Sequence, residues 1–177
     1  MLSIKEAVKE LEANDRFQTW KDECPKSYLC HCMQMLNDDG AWYIGYYNKE
    51  DDKITTFAIS KLALSKESTE EVFKEPGKTV EELDIDKVTV EYNDAVETAK
   101  AVSKSNYPTD LPSKNIVIVQ TISGKQVYNI TFVTLSMSTV NIKIDAATKE
   151  IVSHKKTSLM EFDASKELEK QSQQEKK

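Results

Sequence analysis

The run Val140-Asn141-Ile142-Lys143-Ile144-Asp145 alternates apolar and polar residues without interruption. A period of two marks a β-strand with one face buried and one face turned outward. Such a strand needs neighbours to pair with and something apolar to lie against its buried face. The flanking sequence supplies both. Asn115 to Ile122 is a β-branched run, Ser123-Gly124-Lys125 turns the chain, and Gln126 to Leu135 returns. Asp145-Ala146-Ala147-Thr148-Lys149 reads as a hairpin turn, with Glu150 to Ser158 as the strand after it. The cover comes from a helix upstream, about Asn93 to Ser105, whose Ala95, Ala99 and Val102 form one apolar stripe. Asn93 is a suitable N-cap, and Pro108 and Pro112 end the helix.

The first half follows the same order. Ser3 and Glu6 form a capping box, and Ile4, Val8 and Leu11 recur at helical spacing. Phe17 and Trp20 extend that face, so a helix is expected near Ser3–Trp20, before Cys24-Pro25 breaks it. Strands are expected at Ser27–Leu36, Ala41–Asn48 and Ile54–Ile59. The turns between them are Asn37-Asp38-Asp39-Gly40 and Glu50-Asp51-Asp52. Ser65 to Lys78 is polar, carries Pro76-Gly77, and reads as a connection with one helical turn at Thr69–Phe73. Thr79 to Val90 leads into the second half.

The expected fold is therefore α+β, with two helix-then-antiparallel-sheet units in one compact body. The divisions are 1–64 for the first unit, 65–82 for a linker, 83–162 for the second unit and 163–177 for a flexible charged tail. Within that tail Leu168 is the single aliphatic residue larger than alanine.

Composition excludes several functions. With 30 acidic against 24 basic residues the formal charge is −6, and Arg16 is the only arginine. The lysines are interspersed with acids, so a nucleic-acid partner is not expected. No stretch is apolar enough for a membrane span. The start lacks the basic and apolar segments of a signal peptide, so the sequence as it stands reads as cytoplasmic, or extracytoplasmic if a leader has been removed. No glycine-rich phosphate loop and no G-x-S-x-G is present.

Four stretches carry a further likeness. These are Leu83-Asp84-Ile85-Asp86-Lys87-Val88, the helix opening Asn93-Asp94-Ala95-Val96-Glu97-Thr98-Ala99, the strand Val127-Tyr128-Asn129-Ile130-Thr131-Phe132, and Val140 to Val152 with its Asp145-Ala146-Ala147-Thr148-Lys149-Glu150-Ile151 turn. On these residues the second half resembles the PepSY domain family, a PepSY/cystatin-like arrangement. The first half fits the order more loosely, through Trp42–Tyr47 and Lys53–Ile59, as in a tandem repeat. Lys149 stands where the family usually has glycine, which implies a slightly different turn. The resemblance implies a non-enzymatic module that inhibits peptidases or binds peptides. It brings no catalytic residues and no cofactor.

Two sets of side chains are candidates for a site. In Trp42-Tyr43-Ile44-Gly45-Tyr46-Tyr47, alternation puts Trp42, Ile44 and Tyr46 on one face and Tyr43 and Tyr47 on the other. One face packs under the helix. The other offers its aromatics to a peptide, a protein or a second subunit, and Tyr43, Tyr47 and Trp42 are the candidate binding residues. Cys24, Cys30 and Cys32 form the other set, as zinc ligands or as plain buried thiols. In a regular strand Cys30 and Cys32 share a face and His31 points away, which excludes His31 from their site and leaves Cys24 as a third ligand. The acids Asp38, Asp39, Glu50, Asp51 and Asp52 crowd two turns, but without EF-hand spacing they read as solvated hairpin tips. The sequence leaves the oligomeric state and the identity of any ligand open.

Overall fold

The computed structural model describes residues 2–35, 40–60, 63–71 and 79–159, with 63–67 described at the backbone. Eight strands form one antiparallel sheet with three α-helices against it. The first half contributes α1 (Ile4–Glu12), α2 (Asp15–Glu23), β1 (Tyr28–Met35), β2 (Trp42–Asn48), β3 (Lys53–Ser60) and β4 (Ala63–Glu71). The second contributes a short 3₁₀ turn (Ile85–Lys87), α3 (Tyr92–Asn106), β5 (Pro112–Ile122), β6 (Lys125–Thr134), β7 (Ser138–Asp145) and β8 (Ile151–Ser158). The strand order is β4-β3-β2-β1-β5-β6-β7-β8. Each half is thus a meander, and the two meet edge to edge where β1 pairs with β5, Cys32 opposite Val119 and Gln34 opposite Val117.

The helices lie on one face and bury it. Ala7, Leu11, Ala95 and Ala99 are fully buried against Cys32, Ile44, Phe57, Val119, Tyr128, Ile130 and Ile142, one continuous core running across both halves. Small residues on the helices let the backbone approach the sheet closely, while large ones fill the sheet side.

Several expectations change in detail. The helix expected from Ser3 to Trp20 is two helices, because Asn14 takes an extended conformation and its side chain caps α2 by accepting the Arg16 N–H at 3.0 Å. The break redirects the chain so that Phe17 and Trp20 both reach Tyr46 and Phe57, at ring separations of 4.9 to 5.7 Å. The Ser3–Glu6 capping box forms as expected. Helix α3 begins at Tyr92, with Glu91 rather than Asn93 at the cap position.

The connection expected over 65–82 contains most of an edge strand. Residues up to Glu71 pair with β3, so Thr69 belongs to a strand and not to a helical turn. An edge strand rich in charged residues is well suited to deterring further pairing, and for that reason its composition imitates a loop. Glu70 and Glu71 are strand as well, while Val72 and Phe73, Pro76-Gly77, the tips at Asp38 and Asp39, and the tail over 163–177 lie outside the described residues. From Thr79 onward the chain is stitched to both halves. Tyr28 donates its hydroxyl to Val80 O at 2.8 Å, Leu83 N–H donates to Leu29 O at 2.8 Å, and Thr89 and Val90 N–H both donate to Ala146 O. The Glu81 carboxylate accepts from the N–H groups of Ser123 and Gly124, each at 2.7 Å. Those two residues have φ of 52° and 76°, the double left-handed geometry of a tight hairpin.

Candidate functional site

The face of the sheet away from the helices has no described element over it, and its side chains follow from the register. Ala58, Tyr43, Met33 and Ile118 are successive cross-strand partners, and the row continues through Asn129 and Lys143. Beside it runs a second row, Met35, Ile116, Thr131, Asn141 and Lys155. Both rows begin apolar on the first half and on β5, pass through amides and hydroxyls, and reach lysines on the far side, Lys143 on β7 and Lys155 on the edge strand β8. The side chains of Met33, Tyr43, Ile116 and Ile118 are half-buried, and Met35 is 38% exposed. Asn141 donates to Asn129 Oδ1 at 2.7 Å and to Thr131 Oγ1 at 2.8 Å, which fixes the polar middle of the rows. A depression of about 280 Å³ lies on the apolar side, lined by Met33, Met35, Tyr43, Thr56, Ala58, Ser68 and the carboxylate-bearing Glu70.

Of the expected binding residues, Tyr43 lies on this face and lines the depression. Tyr47 is on the same face but is only 4% exposed. Its hydroxyl donates to Asp52 at 2.7 Å, and its ring meets that of Tyr28 edge-on at 5.5 Å. Trp42 is 1% exposed on the helix side. Its indole N–H donates to Leu2 O, and its ring packs on Tyr92, so Trp42 is a core residue and leaves the candidate set. Sequence reasoning missed Met33, Met35, Ile116 and Ile118. The signal was present in β5, where Ile116 and Ile118 alternate with the buried Val117 and Val119, so the strand is apolar on both faces. Such a strand in an otherwise one-sided sheet points to a second contact surface.

The cysteine expectation is corrected by a β-bulge. Leu29 pairs with Tyr46 and His31 with Gly45, so one extra residue, Cys30, interrupts the alternation. Cys32 therefore faces the helices opposite Ile44, while the Cys30 thiol lies against His31 Nδ1 at 3.4 Å and donates to Gly45 O at 3.2 Å. Cys30 and Cys32 do not share a site, and His31 goes with Cys30. Burial pushes the Cys30 thiol up to about 12 and the His31 imidazole down to about 4, so both are neutral near pH 7 and no thiolate–imidazolium pair forms. Cys24 is half-buried beyond the end of α2, with its thiol pushed upward by burial and by Asp51. All three cysteines are free thiols, and among the described residues no three His, Cys, Asp or Glu side chains converge as metal ligands. Of the acidic turn residues, Glu50 pairs with Lys26 and Asp52 holds Tyr47. His154 on the edge strand meets the Tyr107 hydroxyl at 2.8 Å.

A second cavity of about 830 Å³ opens between α1, the start of β1 and residues 81–87. Several of its polar groups are already engaged. Lys21 is held by the carbonyls of Pro25 and Ser27, Glu12 accepts from the Tyr46 hydroxyl, and Glu81 caps the β5–β6 turn. That cleft reads as a structural junction, and the open sheet face is the better candidate.

Comparison with known proteins bears on the fold. No protein-family model matches the chain, and no curated protein does. Among solved structures, a "putative lipoprotein" from Clostridium difficile 630 is similar, with a TM-score of 0.51 and 15% identity over 81% of this chain and 91% of that one. At that identity the likeness concerns the fold: an α+β body built on a large antiparallel sheet. No helix among the described residues is long and apolar enough to cross a membrane.

Proposed function

We propose that the chain is a non-catalytic binding module whose open sheet face holds a peptide or a protein segment. The observation that carries the reading is the contiguous apolar surface of Met33, Met35, Tyr43, Ile116 and Ile118 across the seam between β1 and β5. Methionine is flexible and polarisable and adapts to different contours, and tyrosine offers area at low entropic cost, both traits of recognition surfaces. The PepSY resemblance of 83–162 supports the same reading and suggests a peptidase as one partner to test. At φ 67° Lys149 occupies the left-handed region that favours glycine, so the lysine holds a glycine-like conformation at the position where the family usually has glycine. As to compartment, the fold neighbour's description as a lipoprotein makes the outside of the cell the location to test against the cytoplasm. Fractionation of the native gene product decides between them.

The test is a binding screen of the full chain against peptidases and peptides, run with a mass measurement in solution. Tyr43→Ala and Ile118→Thr should each weaken a heterologous complex while the free protein stays folded and unchanged in mass. A stable oligomer that these substitutions dissociate would replace the proposal with self-association. Stoichiometric zinc in protein purified without chelator, lost on Cys30→Ser, would replace it with metal binding.

A further inference from the structure

The open face is electrically lopsided, and the register shows how. Lys114 and Lys125 on β5 and β6, Lys143 on β7 and Lys155 on β8 all occupy positions on the side away from the helices. None of the four forms an ion pair among the described residues. Elsewhere Lys26, Lys87, Lys100, Lys149 and Lys156 each meet a carboxylate, while Lys5 and Lys21 donate to backbone carbonyls. Asp145 is the acid on this half of the face, and its Oδ1 is occupied by the N–H groups of Ala147 and Thr148. A chain of net charge −6 thus keeps Lys114, Lys143 and Lys155 outside any ion pair among the described residues on one surface, while Lys125 lies in the field of Asp145.

Resting on the binding-module reading, we propose that the partner is an acidic protein segment that sets an apolar anchor over Met33, Tyr43 and Ile118 and places carboxylates over Lys143 and Lys155. The two ends of the site lie in the same cross-strand rows. Three strand spacings separate β1 from β7, which at about 4.8 Å each puts the anchor roughly 14 Å from the cations. An extended segment covers that distance in about four residues. Between the two ends, Asn129, Thr131 and Asn141 offer amide and hydroxyl groups suited to peptide hydrogen bonding. A nucleic acid fits less well, because half the face is methionine, isoleucine and tyrosine, Glu70 lines its depression, and no arginine is present there. The lysines supply selectivity and association rate, and the apolar end supplies most of the affinity.

The experiment is selection of the full chain against a displayed library of fully randomised twelve-residue peptides, in parallel with the double variant Lys143→Glu/Lys155→Glu. Both lysines project outward, and thermal unfolding confirms that the variant keeps its fold. The expected result is enrichment of peptides carrying a large apolar residue with Asp or Glu about four residues away. Synthetic versions should bind the charge-reversed variant about tenfold more weakly or worse, and lose affinity with added salt. Selection on the variant should in turn enrich Lys and Arg at the same spacing. Enrichment of apolar peptides without a charge preference, equal on both proteins, overturns the acidic partner and leaves the binding face intact. Enrichment of nothing on either protein overturns both readings. Binding of a single-stranded oligonucleotide in preference to every selected peptide overturns the protein partner in favour of a general polyanion.

Discussion

The imidazole of His31 fills the space that a side chain at residue 45 would need. An added Cβ at Gly45 would lie 2.2 Å from His31 Cε1 and within 2.7 Å of both ring nitrogens. The two residues are cross-strand partners at the bulge, so the glycine lets the histidine lie flat across β2. Gly45→Ala should therefore destabilise the protein by about 1–3 kcal/mol, the usual range for overpacking. His31→Ala in the same chain should recover much of that loss. A double-mutant cycle in chemical denaturation measures the coupling, and additive effects would mean that the ring simply swings aside.

The same histidine should make stability depend on pH. Burial lowers its folded pKa from an ordinary 6.5 to about 4, so in between the unfolded chain binds a proton that the folded chain does not. Stability is complete above about pH 6.5 and declines as pH falls toward 4, by at most about 1.4 kcal/mol per unit. Below 4 the contribution is gone and the slope from His31 vanishes. Asp110 and Asp145 also lose stabilising contacts on acidification, but at lower pH, because hydrogen bonds hold both below the usual carboxylate value. Denaturation midpoints from pH 7.5 to 4.5 should flatten in His31→Asn. An unchanged slope in that variant would show that the ring is hydrated.

Tyr43 and Tyr47 should part company on truncation. Tyr47 is buried, bonded to Asp52 and packed on Tyr28, so Tyr47→Ala should cost about 3 kcal/mol or more. Tyr43 is half-buried at the rim of the depression, and Tyr43→Ala should cost about 1 kcal/mol while reducing binding. Equilibrium unfolding of the two single variants separates them, and equal losses would make the whole face core.

Lys149→Gly should stabilise the β7–β8 turn by up to about 1 kcal/mol, since lysine holds a left-handed φ of 67° there. The exposed contact of Lys149 with Asp94, at 3.5 Å, is worth little against that gain. A lower melting temperature in the variant would show that the contact matters more than the backbone.

What the sequence revealed follows from which interactions are local. Period-two alternation in β7 and helical spacing in α1 and α3 leave marks within a few residues, and those elements lie where expected. β4 was hidden because an exposed edge strand needs charges rather than alternation. The bulge at Cys30 changes which cysteine faces which side, yet a backbone irregularity alters no residue type, so the Cys30–Cys32 geometry was misread. The pairing of β1 with β5 joins segments far apart in sequence, and the two rows of the open face exist only once that register is set. Lys143 and Lys155 look like ordinary solvated residues until the rows place them in line with Met33 and Met35.

The strand order carries a consequence for synthesis. β1 lies in the middle of the finished sheet, but as the chain leaves the ribosome it has a neighbour on one side only. The stretch His31–Met35 must wait, with the main-chain groups on its β5 side paired only to water, until Ile116–Gln120 has been made after α3. A nascent chain at that stage presents a ready edge to any other strand, including the β1 of a second nascent chain. Translation that stalls after β4 would therefore release a species prone to pair with itself, and the late arrival of β5 is what removes that hazard.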